Sequence, residues 1–262
     1  MLEQFIVIGN WKMYKTFTET LNFFDEFAIE YKKFRKANPE LVPYIDNNIF
    51  GVAPSQCNLP AYFTNKIPEL KLCSQNMSKN EEGAFTGEVS ARMLRDINVS
   101  YALCGHSERR RYHSNRENDE STHLKIKQSV KYDITPIICI GESKEDRDAG
   151  RTEEAIHKQL QILLDEVNIH KVIIAYEPVW SIGTGITPTP EEVENVSALI
   201  HKLTTSPDVP VLYGGGISEK NINDFTNLPN LNGFLVGSAS LKIDKFLKLI
   251  SANSDGIMPK EK

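Results

Sequence analysis

The chain has 262 residues, of which 40% are hydrophobic and 25% charged, and this composition is typical of a globular protein with one sizeable core. Its formal net charge is -5 and no basic residues are concentrated on one face or in a tail, so nucleic acid and anionic membrane are poor candidate partners. With no run of 18 or more apolar residues, no signal peptide and four scattered cysteines, we expect a cytoplasmic protein with reduced thiols and no membrane span.

Short apolar runs alternate with longer amphipathic stretches along the whole chain. The first amphipathic stretch carries Phe17, Leu21 and Phe24 at spacings of three and four, which is the spacing of one helix face. Later helices are predicted over 118–132, 152–167, 190–204 and 239–252. The apolar runs predict eight strands, over 5–10, 49–53, 70–75, 101–105, 135–140, 172–177, 209–213 and 234–237.

Eight strand-then-helix units without interruption predict an α/β protein whose parallel sheet closes into a (β/α)8 barrel. We expect a single domain over 1–253 and a short C-terminal tail over 254–262. An open doubly wound sheet is the alternative. It predicts a glycine-rich fingerprint after the first strand, where Asn10-Trp11-Lys12 stands instead.

Glu177 ends the sixth predicted strand and leads into 178–188, a stretch rich in proline and glycine. Burying a carboxylate is costly unless it is paired, hydrogen-bonded or neutral. The residue could be a salt-bridged structural acid, but a flap beside it favours a catalytic base. His106 and Lys12 also follow predicted strands, and each has an alternative structural or solvated interpretation. The carboxyl ends of parallel strands converge, so we expect these three side chains to share one pocket.

Four segments, in order along the chain, carry a resemblance to a known family. They are Gly9-Asn10-Trp11-Lys12-Met13, Cys104 to Arg110, Glu177-Pro178-Val179-Trp180 with Ile182-Gly183-Thr184-Gly185, and 233–237. Together they resemble triosephosphate isomerase, over essentially the whole chain. The resemblance implies a (β/α)8 TIM barrel that interconverts dihydroxyacetone phosphate and D-glyceraldehyde 3-phosphate through an enediolate, in glycolysis and gluconeogenesis. It implies no cofactor and no metal.

The resemblance also assigns roles to individual residues. Glu177 would be the general base, His106 the group that polarises the substrate carbonyl, and Lys12 the cation that binds the anionic substrate, with Asn10 beside it. Ser107 and Glu108 would support this group by positioning Glu177 and Lys12. Backbone N–H groups that bind the phosphate are expected at Gly183, Gly215, Gly216, Gly237 and Ser238.

A loop from Gln75 to Glu88 resembles the segment that inserts into the partner subunit of the family's homodimer. Its alternative interpretation is an exposed turn, but the apolar pair Ala84-Phe85 favours burial against another surface. A homodimer would bring Thr86 close to Asn10 and Glu108 of its partner.

The resemblance makes the stretch 178–188 a lid over the site. The sequence departs from the family's usual pattern at the latch, the positions that hold this lid closed. Pro188 stands where the family has an alanine whose N–H meets the tyrosine equivalent to Tyr213, and Gly216 stands where it has a serine. We hypothesise that the closed lid has up to two fewer hydrogen bonds than in the family, and that the enediolate therefore loses phosphate more often.

Two smaller departures concern other positions. Ser238 replaces a glycine, which is tolerable if its φ is negative. The stretch 111–116 is longer than usual, with Glu117 favoured as the acid of a nearby ion pair.

Two other functions remain open at this stage. One is a barrel enzyme that acts on a different phosphosugar and shares only the phosphate site. The other is a catalytically inactive relative that binds a partner, which should have lost at least one of Asn10, Lys12, His106 or Glu177. All four are present.

Overall fold

The computed structural model of the chain describes residues 4–111, 116–181 and 186–252. Eight parallel strands follow one another around a closed barrel, and β1 pairs with both β2 and β8. The predicted (β/α)8 barrel is therefore confirmed, and the doubly wound alternative is wrong. The strands are β1 Ile6–Asn10, β2 Ile49–Ala53, β3 Leu70–Ser74, β4 Tyr101–Cys104, β5 Thr135–Ile140, β6 Ile173–Tyr176, β7 Val211–Tyr213 and β8 Gly233–Val236.

Helices surround the barrel. Most of the described ones begin at a polar cap, such as Thr16, whose hydroxyl accepts from the Glu19 amide and whose own amide donates to the Glu19 side chain. They are α1 Phe17–Ala37, α2 Val42–Asn47, α3 Ala91–Asp96, α4 Ser107–Arg111, α5 Asp119–Lys131, α6 Lys144–Asp148, α7 Thr152–Leu163, α8 Pro190–Thr204 and α9 Ile243–Ser251.

Two predicted helices differ from the structure. The stretch 239–252 is not continuous, because a 3₁₀ turn over Ser238–Leu241 is followed by Lys242 in an extended conformation, with φ -114° and ψ 131°. The extended residue ends the turn, so α9 begins only at Ile243. The predicted helix over 152–167 also ends early, and Glu166 adopts a left-handed φ of 52°.

The core has two layers, which follow from the alternation of side chains along each strand. Residues such as Ile8 and Leu212 fill the barrel interior, whereas Val7, Phe50 and Phe234 pack outward against the helices. Closure between β1 and β8 requires Gly233, whose φ is 152° and where a Cβ would lie 1.8 Å from the Ile6 carbonyl oxygen. Three of the four free cysteines, Cys73, Cys104 and Cys139, are buried.

Candidate active site

Groups from five strands meet in one cavity of about 340 Å³ at the carboxyl end of the barrel. This follows from the parallel sheet, since every strand delivers its next residues to the same side. The sequence-predicted residues that line the cavity are Asn10, Lys12, His106, Ser107, Glu177, Gly215, Gly216, Gly237 and Ser238. Glu108 lines an adjoining cavity with Asn10 and Lys12. Gly183 lies outside the described residues.

Glu177 is buried directly after β6, and both of its oxygens are hydrogen-bonded. Oε1 lies 2.9 Å from His106 Nε2, and Oε2 accepts from the Ser107 amide at 2.9 Å. Gly214, directly after β7, leaves room for this side chain, because a Cβ there would lie 2.9 Å from Glu177 Cγ. The sequence-predicted base is thus held against the sequence-predicted electrophile.

The tautomer of His106 is fixed by a hydrogen bond to Nδ1, the ring nitrogen that does not face Glu177. The Glu108 amide, in the first turn of α4, donates to His106 Nδ1 at 3.2 Å. A nitrogen that accepts this bond carries no proton, so the ring proton lies on Nε2 and points to Glu177. The ring in this arrangement is a neutral hydrogen-bond donor.

His106 and Glu177 shift the pKa of each other. Burial by itself lowers the pKa of His106, but the charge and hydrogen bond of Glu177 outweigh it and the pKa lies above its ordinary value. Burial raises the pKa of Glu177, but the His106 ring and the Ser107 amide outweigh it and the pKa lies below its ordinary value. If the two side chains were separated, burial would dominate both pKa values. The pKa of Glu177 would rise, so the carboxylate would be more basic, and the pKa of His106 would fall, so the ring would resist protonation.

Lys12 follows β1 in a left-handed backbone conformation, with a φ of 52° that a non-glycine residue rarely adopts. Its amide donates to Asn10 Oδ1 at 3.0 Å, and its carbonyl accepts from Gln75 Nε2 at 2.8 Å. These bonds hold the backbone so that the ammonium lies over the barrel mouth. There Nζ donates to Glu108 Oε1 at 2.7 Å.

The sequence analysis does not identify Gln75 as a supporting residue. Its Nε2 donates to the carbonyls of both Lys12 and Ala53 at 2.8 Å, which joins the ends of β1 and β2 under the cavity. A side-chain bond between segments 63 positions apart has no local periodic signal. Only the position of Gln75 at the end of a predicted strand could have suggested it.

Comparisons with known proteins agree with this geometry. The family model described as triosephosphate isomerase matches residues 5–253. A triosephosphate isomerase of Mycoplasmopsis agalactiae is 92% identical over 259 residues, covering 99% of this chain and all of that protein. Those of Mesomycoplasma hyorhinis and Dictyoglomus thermophilum are 45% and 39% identical, and each alignment covers 94% or more of this chain and 98% of the relative.

The chain belongs to the triosephosphate isomerase family.

Four positions that the sequence predicts to bind phosphate line the cavity. Gly215 and Gly216 follow β7, and Gly237 and Ser238 follow β8. Gly237 lies beside the Lys12 side chain, since a Cβ there would be 3.6 Å from Lys12 Cε. Ser238 is not among the described non-glycine residues with a positive φ. It therefore has the negative φ that makes a serine tolerable at this position.

The latch positions show the two departures from the family pattern. The Tyr213 hydroxyl is buried beside Gly215 and makes no hydrogen bond of normal geometry with the described residues. Burial raises the pKa of Tyr213 to about 12, and the nearby Gly216 amide opposes part of this rise. A Cβ at Gly216 would lie 3.3 Å from Thr187 Oγ1. Pro188 is buried and has no N–H to offer.

A buried acid beside the lid is a second feature that the sequence analysis does not identify. Glu142 follows β5 and its Oε1 accepts from Trp180 Nε1 at 2.9 Å and from the Tyr176 hydroxyl at 3.1 Å. Burial raises the pKa of Glu142 against these bonds and the charge of Arg147. The signal that identifies Glu177, a carboxylate just past an apolar strand, also applies here.

The acid of the family's ion pair near α4 is Glu117, as the sequence favours. It accepts from Arg109 Nε and from Lys125 Nζ, and Lys125 also donates to Asn76 Oδ1 at 2.8 Å. Glu117 and Lys125 are both buried. The network joins Asn76, at the start of the loop from Gln75 to Glu88, to α4 and α5. Residues 112–115 of the longer stretch lie outside the described residues.

The residues around Thr86 are exposed on this chain. All residues from Glu82 to Glu88 are exposed, and so are Met13 and Tyr14 next to Lys12. The cavity lined by Lys12, Gln75, Asn76 and Glu108 opens on this side of the barrel.

None of the helices that the structure describes is long and apolar enough to cross a membrane. Among the described residues, no group of three or more His, Cys, Asp and Glu side chains is placed to hold a metal ion.

Proposed function

We propose that this member of the triosephosphate isomerase family interconverts dihydroxyacetone phosphate and D-glyceraldehyde 3-phosphate, with Glu177 as the base and His106 and Lys12 as the groups that stabilise the enediolate. One observation carries the proposal. Glu177 Oε1 and His106 Nε2 lie 2.9 Å apart in a cavity that also holds Lys12. A base and a neutral hydrogen-bond donor that share one small cavity suit proton abstraction next to a carbonyl.

The reaction needs one proton to move between adjacent carbons. Glu177 takes the proton from carbon 1 of dihydroxyacetone phosphate, and the electrons of the C–H bond form the C1–C2 double bond while the carbonyl oxygen becomes an enediolate oxygen. Protonated Glu177 then returns a proton to carbon 2, and the carbonyl forms at carbon 1. The hydroxyl proton moves between the two oxygens with His106 Nε2 as the donor. The overall change is an isomerisation without an added oxidant or reductant.

Substrate binding is expected to separate Glu177 from His106. The carbonyl oxygen would take the place of Glu177 as acceptor of the Nε2–H, and the carboxylate would turn toward carbon. Removed from the ring, the buried carboxylate would become more basic and therefore a better match for the weakly acidic carbon. The ring, without its anionic partner, would stay neutral, as a donor to the enediolate requires.

Lys12 and the backbone at Gly216, Gly237 and Ser238 would bind the substrate phosphate. The chain is acidic overall, so the site needs this local positive charge to hold an anion. Gly183 is proposed for the same role on the basis of the family pattern. The stretch 178–188 would exclude water and protect the enediolate.

The first test is conversion of D-glyceraldehyde 3-phosphate to dihydroxyacetone phosphate by the purified chain and by Glu177→Gln. Glutamine keeps the size and a hydrogen-bond acceptor but cannot take the proton, so kcat should fall by about 10³-fold or more. Glu219→Gln is the matched control, because Glu219 is paired with Lys245 outside the cavity. An inactive but folded unmodified chain would favour a non-catalytic role, and activity on another phosphosugar would favour the second barrel enzyme.

A homodimer through the loop around Thr86 and a cytoplasmic location are further parts of the proposal. The exposed loop 82–88, with the exposed Met13 and Tyr14, supports a partner surface. Phe85→Glu would place a charge in that surface and should convert the dimer to monomers, measured by sedimentation velocity. Activity should fall with the loss of the dimer. Dilution of the unmodified enzyme should dissociate the dimer and cause the same loss of activity. We also propose 1–253 as the catalytic domain, so that removal of 254–262 leaves kcat unchanged.

A further inference from the structure

The Arg147 side chain contacts two chain segments that lie on either side of residues 182–185. Its Cζ lies 3.8 Å from the centroid of the Trp180 ring, and its Nη2 donates to Glu192 Oε1. Its Nη1 lies 3.8 Å from Glu142 Oε1. Arg147 belongs to the short helix α6, and its side chain is 30% exposed.

Each contact leads to a functional segment. Trp180 stands three residues after Glu177, and its indole N–H is already held by Glu142. Glu192 is part of the cap of α8, where its Oε2 accepts from the Thr189 amide at 2.8 Å. Thr189 directly follows Pro188. One guanidinium therefore joins the segment that carries the base to the segment that resumes after the glycine-rich stretch.

The guanidinium group suits this position for physical reasons. It is planar and can stack on an indole face while its edge donates to a carboxylate, which an ammonium cannot do in the same geometry. Glu142 is 1% exposed, and its Oε2 has no hydrogen-bond partner among the described residues. Arg147 also brings a positive charge close to this poorly compensated acid.

We propose that Arg147 is a positioning residue for the isomerisation: its contact with Trp180 fixes the backbone that follows Glu177, and its bond to Glu192 fixes the start of α8. The inference rests on the proposed function. It requires Arg147 to act on kcat through Trp180, whereas a surface ion pair with Glu192 alone would affect stability slightly and kcat not at all.

The test compares Arg147→Gln and Arg147→Lys with Arg151→Gln. Arg151 is the matched control, since it lies close by and pairs with the half-buried Asp146, outside the contacts with Trp180 and Glu192. Both Arg147 variants should lose kcat by about 10- to 100-fold with a smaller change in KM, because small displacements of a base have effects of this size. Arg151→Gln should stay within twofold of the unmodified enzyme. The Trp fluorescence of Arg147→Gln should also change, since Trp180 is one of only two tryptophans.

Glu192→Gln removes the ion pair of Arg147 while leaving Arg147 and Trp180 in place. It is also the test to use if Arg147→Gln fails to fold. Glutamine keeps an acceptor for the Thr189 amide but loses the ion pair that holds the guanidinium over the Trp180 ring, so we expect a several-fold loss of kcat. The inference is overturned if folded Arg147→Gln or Glu192→Gln keeps kcat within twofold, or if Arg151→Gln loses as much as the Arg147 variants. An inactive unmodified chain would instead overturn the proposed function.

Discussion

Glu177 and His106 are hydrogen-bonded to each other in the ligand-free cavity, with 2.9 Å between Oε1 and Nε2. In the proposed mechanism each of these two groups therefore occupies the place that substrate atoms would take. The contact keeps the carboxylate ionised and the ring proton on Nε2, since Glu108 donates to Nδ1. Under the proposed mechanism, substrate would insert between two groups that are already in their reactive protonation states.

The first prediction concerns the pH dependence of His106→Gln. The ring lowers the pKa of Glu177 against the effect of burial, so without the ring the pKa of Glu177 rises. The base acts only when ionised, and the acid limb of kcat/KM should therefore move to higher pH. The kcat should also fall by about 10²- to 10³-fold, because a donor to the enediolate is lost.

The measurement is a pH profile of kcat/KM for the variant and the unmodified enzyme. His157→Gln is a suitable control, since His157 lies on α7 outside the cavity. An acid limb that stays in place would mean that the His106 contact does not set the ionisation of Glu177.

The second prediction concerns the latch. Gly216→Ser with Pro188→Ala should restore up to two hydrogen bonds, each worth about 0.5 to 1.5 kcal/mol, to the segment that protects the enediolate. A serine side chain has Thr187 Oγ1 as its nearest neighbour, at 3.3 Å from the new Cβ. We expect less methylglyoxal per turnover, measured by trapping methylglyoxal during the isomerisation. An unchanged yield in the double variant would contradict the latch hypothesis.

The third prediction concerns Gln75→Met. Methionine keeps the length of the side chain but removes both N–H donors, so the Lys12 and Ala53 carbonyls lose a partner. The left-handed conformation of Lys12 should then be less favoured, and KM should rise about tenfold while a smaller change occurs in kcat.

Steady-state kinetics on D-glyceraldehyde 3-phosphate would measure the effect of Gln75→Met. The control is Gln56→Met, whose Nε2 donates instead to the Asn76 carbonyl at 2.9 Å. If both variants raise KM equally, the effect does not come from the Lys12 backbone.

The fourth prediction concerns stability and pH at Glu117. Burial raises the pKa of Glu117, but Lys125 and Arg109 outweigh it and the pKa lies below its ordinary value. The ionised acid therefore stabilises the fold at neutral pH. This stabilisation is present above about pH 4.3, the ordinary pKa of glutamate, and is lost as pH falls through the lower folded value.

Glu117→Gln should lower the free energy of unfolding by about 3 kcal/mol at pH 7, because it leaves a buried lysine without its anion. The difference from the unmodified chain should shrink below about pH 4, where the acid itself becomes protonated. Urea unfolding at several pH values measures it. A difference that is constant with pH would show that the charge of Glu117 is not the source of the stabilisation.

The barrel and its main site residues could be predicted because their signals are local. Each strand is a short apolar run, and Asn10, His106 and Glu177 stand at the end of such a run or within two residues of it. The break at Lys242 could not be predicted from periodicity, since apolar residues continue on both sides of it. Glu142 has the same local signal as Glu177 but lacks a glycine-rich segment after it.

The sequence by itself determined the order of strands and helices, the membership of the family and the set of residues that meet at the barrel mouth. Hydrophobic periodicity and strand-end motifs are enough for this, because parallel strands deliver their ends to one side. Only the tertiary structure decided which atoms pair: His106 with Glu177, Lys12 with Gln75, and Arg147 with Trp180 and Glu192. Hydrogen bonds and stacking depend on distances of a few ångströms between segments remote in sequence, and no local pattern contains those distances.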